Sequence, residues 1–359
     1  MTMRKQSARQ TSAQTLPSQK PVLPQVRYHP SIQVPADAVL TKTASKGKTW
    51  TRTATARPLQ TRTNTKDVKG KRFTNPTGPA VRPDPDGEEK PEEEPGPPTP
   101  EQLPLDSEIQ IDQDLVGQIE AWTRGQRLNE HWFTWRKNRI TASVAHGIAH
   151  CRFVNGKSQT PPQSYLEAVT GEGQRVQTRA MSWGVHMEAE AVRRYQVLKS
   201  EALGHPVSVL DCGLYVDPER AWLAASPDGI VTDSRTGRRL LVLEVKCPFK
   251  HRHRRVEDAC SEDPAFCLQL QPGHPPQYRL KTSHSYFTQI QCQLAVTGLQ
   301  RADLVVFTLQ ETAVVPVSFQ PELWQETVCK LELFYRSAVL PHIRLKKQHC
   351  AGPAARTEC

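Results

Sequence analysis

The stretch LLVLEVKCPF, Leu240 to Phe249, constrains this chain more than any other. It is apolar enough for a strand buried on both faces, yet Glu244 and Lys246 stand inside it. Side chains two apart on a strand share a face, so Glu244 and Lys246 point one way and Val245 the other. A buried carboxylate and a buried ammonium each need a compensating partner. Just upstream, Ser226-Pro227-Asp228-Gly229 places a second carboxylate at a strand bend. The polar DSRTGRR between the two segments has turn composition and predicts a hairpin. Asp228 and Glu244 are thereby expected on adjacent strands.

The flanking pattern predicts a mixed α/β domain. Leu115, Ile119 and Trp122 recur at helical spacing, and a second helix begins near Thr141. A third covers Ala180–Leu198, with Trp183, Met187, Ala191 and Tyr195 on one face. VSVLDCGLYV, AWLAASPDGIV and LLVLEVKCPF read as three strands. HSYFTQIQCQLAVTG reads as a helix closed by Gly298, ADLVVFTL and AVVPVSF as two more strands, and PELWQETVCKLELFYRSAVL as a final amphipathic helix. This order reads as a mixed α/β domain over residues 109–345.

Residues 1–105 differ from the rest. The segment is basic up to Arg82, with Asp37 and Asp67 its only acids, and its sign reverses in DPDGEEKPEEEPGPPTPE. Such Pro-rich, charged sequence cannot bury enough apolar surface to offset its ordering entropy, so it reads as a disordered arm, as do residues 346–359 as a tail. A net charge of +10 favours a polyanionic partner. The basic arm, with KGKR at Lys69–Arg72, would suit nucleic acid or an import receptor, against the plainer reading of a solvated tail. No stretch approaches the roughly 18 apolar residues of a membrane span, and no apolar run follows the basic N-terminus as in a secretory signal. The 9 cysteines lack the spacing of a disulfide scaffold and fit reduced thiols. The expected setting is intracellular, with a nuclear location resting on the arm.

Asp228, Glu244 and the Val245 carbonyl supply the hard oxygen donors that Mg²⁺, or Mn²⁺, prefers. Such a metal would polarise a scissile phosphate and lower the pKa of an attacking water. Lys246 would orient that water or steady developing negative charge. A surface Glu/Lys pair and a Pro-Asp-Gly turn are the plainer readings of each half alone, but their combination with a hairpin and apolar flanks is specific. His251, His253, Cys260 and Cys267 match no zinc spacing. Cys151, Cys329, Cys350 and Cys359 are too dispersed for an iron–sulfur cluster.

SPDG followed by EVKCPF resembles the YqaJ viral recombinase and lambda exonuclease-like branch of the PD-(D/E)XK nuclease superfamily. WFTWRKNRITAS, SWGVHMEAEAVRRY and YFTQIQCQLAVTG resemble three further motifs of that branch, in the same order, so the likeness runs from Ile109 to Leu340. The resemblance implies a restriction-endonuclease-like core, with a central mixed sheet flanked by helices, and a Mg²⁺-dependent deoxyribonuclease. It also implies a 5′-to-3′ exonuclease of DNA recombination or repair, working on duplex DNA with free ends, and a homo-oligomer is compatible with it. Glu188 matches a helical carboxylate that helps bind or orient metal. Glu190 is its rival, but two residues apart on a helix they face different ways, and Glu188 follows Met187 on the core-bordering face. Arg136, Ser143 and Ser226 match positions around a 5′-phosphate. Arginine offers phosphate a forked donor set, and Ser143 falls in the first turn of a helix, whose N-terminus favours anions. A surface ion pair for Arg136 and a helix cap for Ser143 remain the alternatives. Gln289 matches a position near the active site, while Gln291 and Gln293 receive no role. The loop from Asp228 to Glu244 is longer than in lambda exonuclease. A DNA-binding module without turnover and an endonuclease are the competing functions.

Overall fold

The computed structural model describes residues 99–100, 110–174, 176–273 and 277–350. The expected disordered arm, apart from residues 99–100, and residues 351–359 of the expected tail lie outside them. Asp112 caps α1 (Gln113–Trp122) by accepting from the Asp114 N–H, and Asn129 caps α2 (Glu130–Arg136) through the His131 N–H. There follow β1 (Ile140–Thr141), α3 (Ala142–Ala149), α4 (Gln163–Thr170) and α5 (Arg179–Leu203). Helix α5 runs longer than its apolar face implied. It starts where the Thr178 hydroxyl accepts from the Met181 N–H and stops at the left-handed Gly204.

Two of the expected strands are each broken in two. VSVLDCGLYV divides into β2 (Val207–Leu210) and β3 (Tyr215–Val216), and AWLAASPDGIV into β4 (Leu223–Ala225) and β5 (Gly229–Asp233). The halves lie in different sheets, with β1-β4-β3 in the smaller one. Pro227 cannot donate to a ladder, so the second strand ends before it and restarts after Asp228. Gly213 lies so close to the end of α1 that a Cβ there would stand 2.1 Å from the Glu120 carbonyl oxygen, which pulls the first strand away from its sheet. Period-2 alternation sees neither event.

The predicted hairpin is present, with β5 antiparallel to β6 (Arg239–Lys246) and Gly229 opposite Leu243. Beyond it come α6 (Val256–Glu262), β7 (Leu268–Gln271), β8 (Gln277–Leu280) and α7 (Ser285–Thr297). The chain then forms β9 (Arg301–Phe307), β10 (Thr312–Ser318), α8 (Pro321–Phe334), a π-helical turn and α9 (Leu340–Cys350). Helix α9 reaches five residues into the segment expected to be a disordered tail. The main sheet has the order β10-β9-β6-β5-β2, with β6 and β9 parallel and the other pairs antiparallel.

This mixed sheet lies between helices, as expected. Ala191 and Tyr195 of α5 pack on Val231, Leu243, Val245 and Val305. Ile290 and Leu294 of α7 pack on the opposite face with Val242, Leu304 and Val306. The alternation along β6 therefore turns Val242, Glu244 and Lys246 toward α7. Among the described residues no helix is long and apolar enough to cross a membrane.

Candidate active site

Asp228 begins at the break before β5, and both its ends are tied to β6. Its N–H donates to the Leu243 carbonyl at 3.1 Å, and its Oδ2 accepts from the Val245 N–H at 2.7 Å. The carboxylate therefore sits against the β6 backbone one residue beyond Glu244. Glu244 is 1% exposed and is held from two sides. Its Oε1 accepts from Lys246 Nζ at 2.5 Å and Gln289 Nε2 at 2.6 Å, and its Oε2 from Gln293 Nε2 at 2.6 Å.

Gln289 and Gln293 stand one helical turn apart on α7, which lets both amides reach one carboxylate. Gln293 is a site residue that the sequence reading left unassigned. Its spacing from Gln289 on a helix facing the charged strand was the available signal. Gln291 faces elsewhere, donating to the Ser318 carbonyl at 3.0 Å and accepting from the Gln320 N–H at 2.7 Å.

Burial, reinforced by the negative charge of Glu244, holds the Asp228 pKa well above the ordinary carboxylate range, and Lys246 offsets this only in part. Burial works against charge on Lys246, but Glu244 and Asp228 outweigh it and raise its pKa. Lys246 thus stays an ammonium, and it lies 4.7 Å from the centre of the Tyr286 ring.

Glu188, on α5, feels both Glu244 and Lys246; burial raises its pKa while Arg127, at 3.7 Å, pulls it back. Glu190 is bound instead to Arg193 and Arg194, whose hydrogen bonds bring its pKa to about 2. Asp228, Glu244 and Glu188 thus share one electrostatic neighbourhood. Among the described residues no three His, Cys or acidic side chains close into a ready cation cage. The Glu244 oxygens are occupied by N–H donors. The donor chemistry still fits a hard divalent cation, because oxygen ligands dominate the set. His251 lies apart and pairs with Asp263 through Nε2 at 2.9 Å.

A second cluster adjoins the first. Arg136 Nη2 donates to the Thr141 hydroxyl at 3.3 Å, and Thr141 Oγ1 lies 3.3 Å from Ser143 Oγ in the first turn of α3. The guanidinium sits 4.1 Å from the centre of the Trp132 ring, and Trp132 Nε1 donates to Ser226 Oγ at 2.8 Å. Burial alone pushes the Arg136 pKa down to about 10, and no acid opposes it. A half-buried arginine whose one hydroxyl partner is Thr141, without a carboxylate partner among the described residues, is suited to an incoming anion. The parallel pairing of β1 with β4 brings this cluster together by setting Thr141 beside Ala224, next to the Ser226 turn. Ser226-Pro227-Asp228 then joins it to the carboxylates.

Residues 131–300 match the family model of the YqaJ-like viral recombinase domain, the branch that the motifs resemble. The alkaline nuclease of Autographa californica nuclear polyhedrosis virus is 24% identical over 251 residues, 67% of this chain and 54% of that protein. The alkaline nuclease of Orgyia pseudotsugata multicapsid polyhedrosis virus is 26% identical over 189 residues, 50% of this chain and 40% of that protein. The chain thus spans about half the length of the curated relatives it matches. Among solved structures, an alkaline exonuclease from Laribacter hongkongensis is similar over 63% of this chain and 100% of that chain, at 22% identity and a TM-score of 0.44.

Proposed function

We propose that this chain, which carries a YqaJ-like viral recombinase domain over residues 131–300, is a metal-dependent DNA nuclease. We read it as a 5′-to-3′ exonuclease acting on duplex ends in recombination or repair. The observation that carries this reading is the placement of Asp228, Glu244 and Lys246 on paired strands beside Glu188. The viral relatives, themselves alkaline nucleases, support it.

Asp228, Glu244, Glu188 and the Val245 carbonyl are the groups that would hold Mg²⁺ or Mn²⁺. When bound, the ion supplies Lewis-acid polarisation of the phosphate and a lowered pKa for the attacking water. Lys246, kept protonated by its two carboxylates, is a donor and not a base. Its ammonium steadies the negative charge that grows on the phosphate oxygens. Gln289 and Gln293 fix the orientation of Glu244, the kind of support on which ligand geometry depends. Arg136, Ser143 and Ser226 would receive a terminal 5′-phosphate, with the arginine as forked donor.

The test is digestion of end-labelled duplex DNA with and without Mg²⁺, comparing 5′-phosphate with 5′-hydroxyl ends and linear with closed circular substrate. Cleavage that needs metal, prefers 5′-phosphate ends and is abolished by Lys246→Ala is expected. No metal-dependent cleavage would leave a DNA-binding module. Cutting of closed circles would make the enzyme an endonuclease.

A further inference from the structure

Between α1 and α2 the chain makes one short 3-10 turn over Gln126–Leu128 that the mechanism above does not use. Gln126 has φ 46°, following Gly125 at 81°. A residue with a side chain seldom takes this left-handed conformation unless its surroundings hold it there. Gln126 Nε2 donates to the Pro227 carbonyl at 2.7 Å and to the Cys212 carbonyl at 3.1 Å. These acceptors come from two separate breaks, the exit of β2 and the entry to β5.

The Pro227 carbonyl belongs to the same peptide group as the Asp228 N–H. Gln126 holds one side of that peptide, and the Leu243 carbonyl, 3.1 Å from the Asp228 nitrogen, holds the other. The Cys212 thiol adds a weaker donor to the same oxygen at 3.2 Å. Rotation of this peptide would turn the Asp228 side chain away from β6. The turn is itself anchored, since the Gly125 N–H donates to Asp211 Oδ2 at 3.2 Å, and the next residue, Arg127, reaches Glu188.

We propose that Gln126 is a positioning residue of the nuclease site, acting through the Pro227–Asp228 peptide to set the Asp228 carboxylate for a divalent cation. The proposal rests on the nuclease reading. It is tested in the full-length protein by measuring Mn²⁺ binding calorimetrically for the wild type, Asp228→Asn, Gln126→Glu and Gln126→Gly, with melting temperatures and the kcat and KM for duplex DNA. Gln126→Glu keeps the size but sets an acceptor against two carbonyls, whereas Gln126→Gly removes the amide and relieves the left-handed backbone.

Both Gln126 variants are expected to bind Mn²⁺ about 10- to 100-fold more weakly, the range usual for residues that orient metal ligands. The kcat should fall with it while KM holds, and Gln126→Gly should melt no lower than Gln126→Glu. Unchanged Mn²⁺ affinity in both variants, or a lower melting temperature with affinity intact, would reduce Gln126 to holding its turn and overturn the proposal. Failure of the nuclease reading looks different, because the wild type itself would then take up no Mn²⁺ or bind it as well after Asp228→Asn.

Discussion

At the scale of single residues, the site crowds buried carboxylates together, and a proton on Asp228 relieves part of their repulsion. The Asp228 pKa is raised in the folded protein, chiefly by burial and then by Glu244, so the folded, metal-free chain holds that proton more tightly than the unfolded chain does. The stability this contributes is complete below the ordinary carboxylate pKa, about 4, and is lost as pH rises through the raised value. Asp228→Asn should therefore melt higher than the wild type at neutral pH in a chelator, by about 2–4 °C for each kcal/mol recovered. The gain should vanish toward pH 4 and reverse when Mn²⁺ is added; scanning calorimetry at the two pH values checks it.

Gln293→Leu probes the opposite effect. It preserves bulk but leaves Glu244 Oε2 without its donor, so it should destabilise by about 1–3 kcal/mol in denaturant titrations and lower kcat. Glu244 and Lys246 were legible in the sequence because charge inside an apolar strand is conspicuous, and Asp228 because its Pro-Asp-Gly bend stands next to that strand. Gln126 was not, because a neutral amide in a loop declares nothing until its distant partner is known, and Gln293 was signalled only by its one-turn spacing from Gln289.

At the scale of elements, helices α5 and α7 followed from their apolar spacing, and the β5–β6 hairpin from its turn residues. The breaks between β2 and β3 and between β4 and β5 did not. A run of apolar residues has the same pattern whether it stays in one sheet or crosses to another. Short, polar β7 and β8 and the helices α4 and α6 carry too little periodicity to register.

The crossover at Gly213 depends on close approach to α1, where an added Cβ would also lie 2.3 Å from Thr123 Oγ1. That hydroxyl already accepts from the Leu214 N–H at 2.7 Å and donates to the Ile119 carbonyl at 2.6 Å, so it has little freedom to yield. Gly213→Ala should cost about 1–3 kcal/mol of stability, as overpacked sites do. A denaturant midpoint unchanged from the wild type would show that α1 can shift to admit the methyl group.

For the whole molecule, the order of strands and helices was enough for a mixed α/β domain, and the motif resemblance supplied the sheet flanked by helices. That order was not enough to show that two clusters, one of carboxylates and one of hydroxyls around Arg136, meet at a single break. Ser226 belongs to the second cluster and Asp228 to the first, and only Pro227 separates them. In an enzyme that grips a terminal phosphate at Ser226 and cuts beside Asp228, those three residues act as a ruler. Two residues of extended chain span at most about 7 Å, so a terminal phosphate at Ser226 and a scissile one beside Asp228 would have to be near neighbours on the strand. Under the proposed exonuclease reading, such a ruler would set the stride of digestion. The products should be mononucleotides or dinucleotides, resolvable by mass spectrometry, with longer fragments absent from early time points.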